Sequence, residues 1–196
     1  MYELINKVKE LNPLVLHYTN NVTITDCANM TLAIGASPLM SFSYEEVEDM
    51  VSVASAVVIN IGTMNSSYLD LFVKAGKAAN KYNKPVVLDP VGVFASKART
   101  ELTNKLLNEV NFTVVRGNIS EIKFIGGLDV AGKGVDSFDD VLALNSNQVN
   151  RLEVGSGGGH MSTLQNLLQL LRLHLRFLII AYRHTLLCNQ IGRAHV

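Results

Sequence analysis

Apolar residues fall in short runs over residues 1–150: PLVLHY (Pro13 to Tyr18), SPLMSF (Ser37 to Phe42), AVVINI (Ala56 to Ile61), PVVLD (Pro85 to Asp89) and FTVVR (Phe112 to Arg116). Runs of this length, bounded by Gly, Pro, Asn or Asp, predict strands. Between them lie YEEVEDMVSVAS, MNSSYLDLFVKAGKAANKY and SKARTELTNKLLNEV. Their apolar positions recur every three or four residues, which predicts amphipathic helices. A strand that is apolar throughout has no face to offer to water and must be covered on both sides. The pattern therefore predicts an α/β fold, a parallel sheet with helices on both faces.

The pattern changes near Arg151. Up to Glu153 the chain uses Lys freely and carries all its acidic residues; beyond it there is no Lys, Asp or Glu, and four of the five His are found there. GSGGGH (Gly155 to His160) reads as a flexible linker, and the Leu-rich stretch after it lacks a clean helical stripe. It fails as a membrane span, because Arg172 and Arg176 near its centre would cost about 2.5 to 3.5 kcal/mol each to insert. The closing IGRAHV also matches one frame of a common sequencing adapter. We read residues 1–150 as one α/β domain and 151–196 as an aberrant tail, translated out of frame.

Composition adds exclusions. A chain of 196 residues with 48% hydrophobic content can build a core. Its formal net charge of +0 lacks the basic footprint of a nucleic-acid binder, and no run of like charge suggests a membrane-surface patch. Two cysteines, Cys27 and Cys188, cannot form a disulfide framework, and MYELINKVKEL is too charged for a signal peptide. A small-molecule partner and a cytoplasmic location are expected.

In a parallel α/β sheet, ligands bind beyond the carboxyl ends of the strands. There the sequence places TNNV (Thr19 to Val22), Met40, GTMN (Gly62 to Asn65), DPVG (Asp89 to Gly92) and RGNISE (Arg116 to Glu121). Each has an ordinary structural reading as well. Thr19 suits a helix N-cap better than a ligand contact, whereas Asn20 suits ligand contact; Met40 suits core, and Asp89 before Pro90 suits a turn. Asn118 and Glu121 have capping-box spacing. Arg116 is harder to place, because a cation beside a helix N-terminus opposes the helix dipole unless an anion binds there. Arg116 on phosphate, with Asp89 and Glu121 on Mg²⁺ directly or through water, would make a phosphoryl-transfer site.

Taken together, PLVLHYTNNVTITDCANMTLAIGASPLMS, VVINIGTMN, VVLDPVGVFASKART, VVRGNISEI and KGVDS resemble the hydroxyethylthiazole kinase family of the ribokinase-like superfamily. The match runs in order from about Pro13 to Ser137, the N-terminal half of that family's chain. The resemblance implies a ribokinase-like fold with its C-terminal half truncated, and a homotrimer with active sites between subunits. It implies transfer of the ATP γ-phosphate to the hydroxyl of 4-methyl-5-(2-hydroxyethyl)thiazole in thiamine biosynthesis or salvage. By position, Asn20 and Met40 would contact the thiazole, Arg116 and Asn118 the ATP, and Asp89 and Glu121 the Mg²⁺. The family's Gly-Ala-Gly-Cys segment, which supplies an anion hole and the catalytic cysteine, is absent, and Cys188 in LLCNQ does not replace it. No catalytic residue is assigned, and the alternative reading is an inactive fragment of the family that binds a small molecule weakly.

Overall fold

The computed structural model describes residues 2–65, 67–127, 140–144 and 152–154. Its elements follow in the order α1 (Tyr2–Leu11), β1 (Leu14–Tyr18), α2 (Ile24–Ala33), β2 (Ser37–Met40), α3 (Val47–Val53), β3 (Ala56–Asn60) and α4 (Tyr68–Lys81). Then come β4 (Val86–Asp89), α5 (Lys97–Glu109), β5 (Val114–Asn118), α6 (Ile119–Ile125), β6 (Asp140–Leu144) and β7 (Leu152–Val154). KGVDS, GSGGGH, Cys188 and the rest of the predicted tail from residue 155 onward lie outside the described residues.

All strands join one sheet in the order β2-β1-β3-β4-β5-β6-β7. The five predicted strands form its parallel part, as expected. Two strands were not predicted, and both are antiparallel: β6 pairs with β5, and β7 with β6. The sheet is thus mixed rather than purely parallel. It also takes in Leu152–Val154. A hairpin needs no crossover helix, which is why the βα alternation gave no sign of it.

Side-chain alternation along the strands creates two apolar layers. Leu16, Tyr18, Val57, Ile59, Val86, Leu88 and Val115 point to the side covered by α3, α4 and α5, where Phe72, Leu102 and Phe112 complete the core. Val15, Ala56, Val87 and Val114 point the other way, onto Val8 of α1 and onto Ile34 and Ala36 at the end of α2. Helix α4 buries Leu71, Phe72, Ala75, Ala78 and Ala79, a helical-period stripe, and stops where Asn83 takes a left-handed φ of 52°. Edge strand β2 contains Pro38, tolerated there because one side of the strand needs no ladder donor.

The chain leaves β1 for β2 on one side, then crosses to β3 on the other. The strand order therefore reverses between β1 and β3. Such a switch point opens a crevice at the carboxyl ends of its strands.

Candidate functional site

The β3–β4 register sets Asn60 opposite Asp89, and β4–β5 pairs Leu88 with Val115, one residue before Asp89 and Arg116. Alternation then sends the three polar side chains to the same face. Asn60 Nδ2 donates to Asp89 Oδ2 at 2.8 Å, and Arg116 Nη1 donates to the same oxygen at 2.7 Å. Across the switch point, Asn20 Nδ2 donates to Asn60 Oδ1 at 2.9 Å, and the Gly62 N–H donates to that oxygen at 2.8 Å. The backbone fixes the direction of the chain, since the N–H groups of Val22 and Thr23 both donate to Asn20 Oδ1. Each amide can therefore face only one way, and Asp89 receives two donors at its end.

Gly62 is required for this arrangement. A Cβ there would lie 2.8 Å from Asn20 Nδ2 and 2.9 Å from Asn60 Oδ1.

Glu121 approaches from α6. Asn118 Oδ1 accepts from the Glu121 N–H at 2.9 Å, and Glu121 Oε2 accepts from the Asn118 N–H at 2.8 Å, a complete capping box. Glu121 Oε1 reaches the adjacent loop and accepts from the Gly92 N–H at 2.7 Å. This carboxyl is buried, and burial pushes its pKa upward; the Gly92 and Asn118 N–H groups pull it down, Asp89 adds to the rise and Arg116 opposes it.

The structure thus joins Asn20, Asp89, Arg116, Asn118 and Glu121 at neighbouring strand ends. Met40 is half-buried at the end of β2, paired in register with His17 of β1 and separated from Asp89 of β4 by β1 and β3. The expectation for Thr19 is corrected. Its hydroxyl lies 3.9 Å from Cys27 Sγ, and it is Asn20 that holds the N–H groups entering α2. Asn20's amide both reaches across to β3 and turns back to its own backbone.

Arg116 also has an explanation that spacing did not give. Its cation is opposed by the Asp89 carboxylate. Two residues that tie these strand ends together went unnoticed in the sequence. Asn60 stands inside an apolar run and Arg99 inside an ordinary helix, yet Asn60 bridges Asn20 to Asp89. The usable sign was an amide ending a Val/Ile strand one position before GTMN.

Among the described residues no group of three or more His, Cys, Asp or Glu is arranged to hold a metal. Among the described residues the Asp89–Glu121 pair is what could serve a cation here, with water or phosphate oxygens completing the shell, which is how Mg²⁺ is commonly held. Burial chiefly, and Asp89 to a lesser degree, push the Glu121 carboxyl upward, so added positive charge is favourable there. The residues fit Mg²⁺.

An open α/β domain with amides at its switch point and carboxylates and a cation at the neighbouring strand ends is the form of a small-molecule enzyme domain. The chain belongs to the hydroxyethylthiazole kinase family, whose sequence model matches residues 5–154. It is 81% identical over 140 residues to the hydroxyethylthiazole kinase of Clostridioides difficile (strain 630), covering 71% of this chain and 53% of that one. With the enzyme of Clostridium tetani (strain Massachusetts / E88) it shares 56% identity over 137 residues, 70% of this chain and 50% of the other. The solved hydroxyethylthiazole kinase structure from Pyrococcus horikoshii OT3 matches with a TM-score of 0.62 at 38% identity, over 72% of this chain and 62% of that one. The chain spans about half the length of the curated relatives it matches. No described helix is long and apolar enough to cross a membrane.

Proposed function

We propose that this domain carries the alcohol-, metal- and phosphate-binding part of a hydroxyethylthiazole kinase, which moves the ATP γ-phosphate to the hydroxyl of 4-methyl-5-(2-hydroxyethyl)thiazole. The observation that carries this reading is the one-way hydrogen-bond chain from Asn20 through Asn60 to Asp89 and Arg116 at the switch point. Asn20 and Met40 serve the thiazole end. Arg116 and Asn118 serve the ATP end, Arg116 by offering a guanidinium that binds phosphate oxygens well. Asp89 and Glu121 hold Mg²⁺ directly or through water, and the ion would neutralise charge on the transferred phosphoryl oxygens.

Within that site Asn60 keeps the Asp89 carboxylate aimed, and the Asn118–Glu121 capping box keeps Glu121 from turning into solvent. The sequence contains no Gly-Ala-Gly-Cys run. The share of the reaction assigned to these residues is therefore binding, orientation and charge neutralisation. The same reading expects a cytoplasmic protein of thiamine biosynthesis, working as a homotrimer. Exposed Val22, just before α2, and exposed Leu32, on α2, which packs on the half-buried edge strand β2, support a surface that meets another copy.

Titration calorimetry of the 196-residue chain with the thiazole alcohol and with Mg²⁺ tests this. Alcohol binding should be lost in Asn20→Ala, and Mg²⁺ binding should weaken at least about tenfold in Asp89→Asn and in Glu121→Gln. A folded wild-type chain that binds neither would overturn the reading. Alcohol binding with no phosphate transfer from ATP is the outcome that fits an inactive binder of the same family.

A further inference from the structure

Arg99 lies in the first turn of α5, outside the network just described, and yet its guanidinium spans two of the strand-end loops. Nη1 donates to the Ile61 carbonyl at 2.7 Å and to the Val91 carbonyl at 2.8 Å, and Nη2 donates to the Gly62 carbonyl at 2.6 Å. Two of these carbonyls have partners on the far side of their own peptide planes. The Ile61 carbonyl shares a peptide unit with the Gly62 N–H, which holds Asn60 Oδ1 at 2.8 Å. The Val91 carbonyl shares one with the Gly92 N–H, which holds Glu121 Oε1 at 2.7 Å.

A trans peptide unit is planar, with its C=O and N–H pointing in opposite directions, so anchoring the oxygen fixes the direction of the N–H. A cation on the oxygen also polarises the unit and strengthens the N–H as a donor. Both units precede glycine, and Gly92 has a φ of +64°. Glycine restrains its peptide plane less than any other residue. These two planes thus need an outside clamp, and Arg99 supplies it.

We propose that Arg99 is the positioning residue for both candidate metal carboxylates, holding Glu121 through the 91–92 peptide and Asp89 through the 61–62 peptide and Asn60. The proposal rests on the assignment of Asp89 and Glu121 to Mg²⁺. Three carbonyl acceptors on two loops suit a planar five-donor fork, and a lysine ammonium cannot take its place.

The test uses the whole 196-residue chain, labelled with ¹⁵N, as wild type, Arg99→Lys, Arg99→Ala and Leu106→Ala. Leu106→Ala removes a buried side chain from the same helix and controls for loss of stability. Two readouts are taken: the amide proton shifts of Gly62 and Gly92 without metal, and Mg²⁺ affinity by calorimetry. In Arg99→Lys both glycine amides should move upfield, as weakened hydrogen bonds do, and Mg²⁺ should bind at least about tenfold more weakly. Leu106→Ala should lower the melting temperature with neither change. Tens of millimolar guanidinium should partly restore the Arg99→Ala amides. Should Arg99→Ala not fold, Arg99→Lys decides alone. Unmoved glycine amides in a folded Arg99→Lys protein, or the same movement in Leu106→Ala, would overturn the proposal. A wild type that binds no Mg²⁺ while its glycine amides still respond to Arg99→Lys would sink the metal assignment and leave the clamp standing.

Discussion

On the side of the sheet facing α3, α4 and α5, large side chains such as Phe72, Phe112, Leu88 and Ile59 fill a continuous core. On the side facing α1 and α2, the buried apolar residues are mostly Val and Ala, and the strands end there in Asn60, Asp89 and Arg116. The two sides share backbones, so their difference is one of parity along each strand. Consecutive residues on β4 make the point: Leu88 enters the thick core, and Asp89 enters the polar chain. Stability is concentrated on one side, which frees the other to hold groups that folding alone would not favour. Arg99 crosses between the two, from a helix of the thick side to the loops of the site.

The strongest way to break this comparison is to truncate neighbours that point in opposite directions. Leu88→Ala should cost about 2–5 kcal/mol, whereas Val87→Ala should cost about 1–2 kcal/mol, from the smaller area lost and the thinner cover. Urea denaturation of both variants checks this, and equal losses would mean that the faces are energetically alike.

Tyr18 is a polar exception on the thick side. Its hydroxyl is buried without a hydrogen-bond partner among the described residues, and its pKa is pushed up to about 12, first by burial and then by the nearby Glu46 charge. Because the folded value exceeds the ordinary value of about 10, its contribution is complete below pH 10 and is lost as pH rises from 10 to 12. The loss should total about 2 to 3 kcal/mol. Tyr18→Phe should remove that part of the alkaline slope and change stability little at pH 7, since no hydrogen bond is given up. Urea midpoints of both proteins at pH 7, 10 and 11 measure it.

Gly62→Ala brings a methyl group into the polar chain. With 2.8 and 2.9 Å to Asn20 and Asn60, one amide must move, at a cost of about 1–3 kcal/mol and with a greater loss of alcohol binding than of folding. Thermal melting and calorimetry together separate the two. The smallest effect is expected at the outer surface of the thick side, where Lys77 pairs with Glu109 at 2.5 Å. That pair is solvated, and Lys77→Ala should leave the melting temperature within experimental scatter.

The parallel strands were legible because each is a short run of Val, Ile and Leu, and their ends fell within two residues of the predicted ones. β6 and β7 were not, since a short antiparallel pair leaves no long-range periodicity and DVLAL sits among polar residues. The candidate site was legible as far as its charges and turn residues. Asn20, Asp89, Arg116, Asn118 and Glu121 stand next to strand ends in the sequence itself. Asn60 and Arg99 were hidden because most of their partners lie 29 to 40 residues away. Only the register reveals those partners. Thr19 was misread for a related reason: two neighbouring residues could each cap the turn, and the longer reach of the Asn20 amide decided between them.

Pro38 has a consequence for how these molecules behave in a crowded solution. An exposed strand edge is a row of donors and acceptors against which another chain can lay a strand, and growth from such an edge is a common start of fibrils. Pro38 has no N–H, so the row along β2 is broken in its second position. A foreign strand arriving there would find a missing rung within four residues, too short a length to compensate for it. The edge of the sheet is thereby protected against templated growth without any charged residue being spent on it.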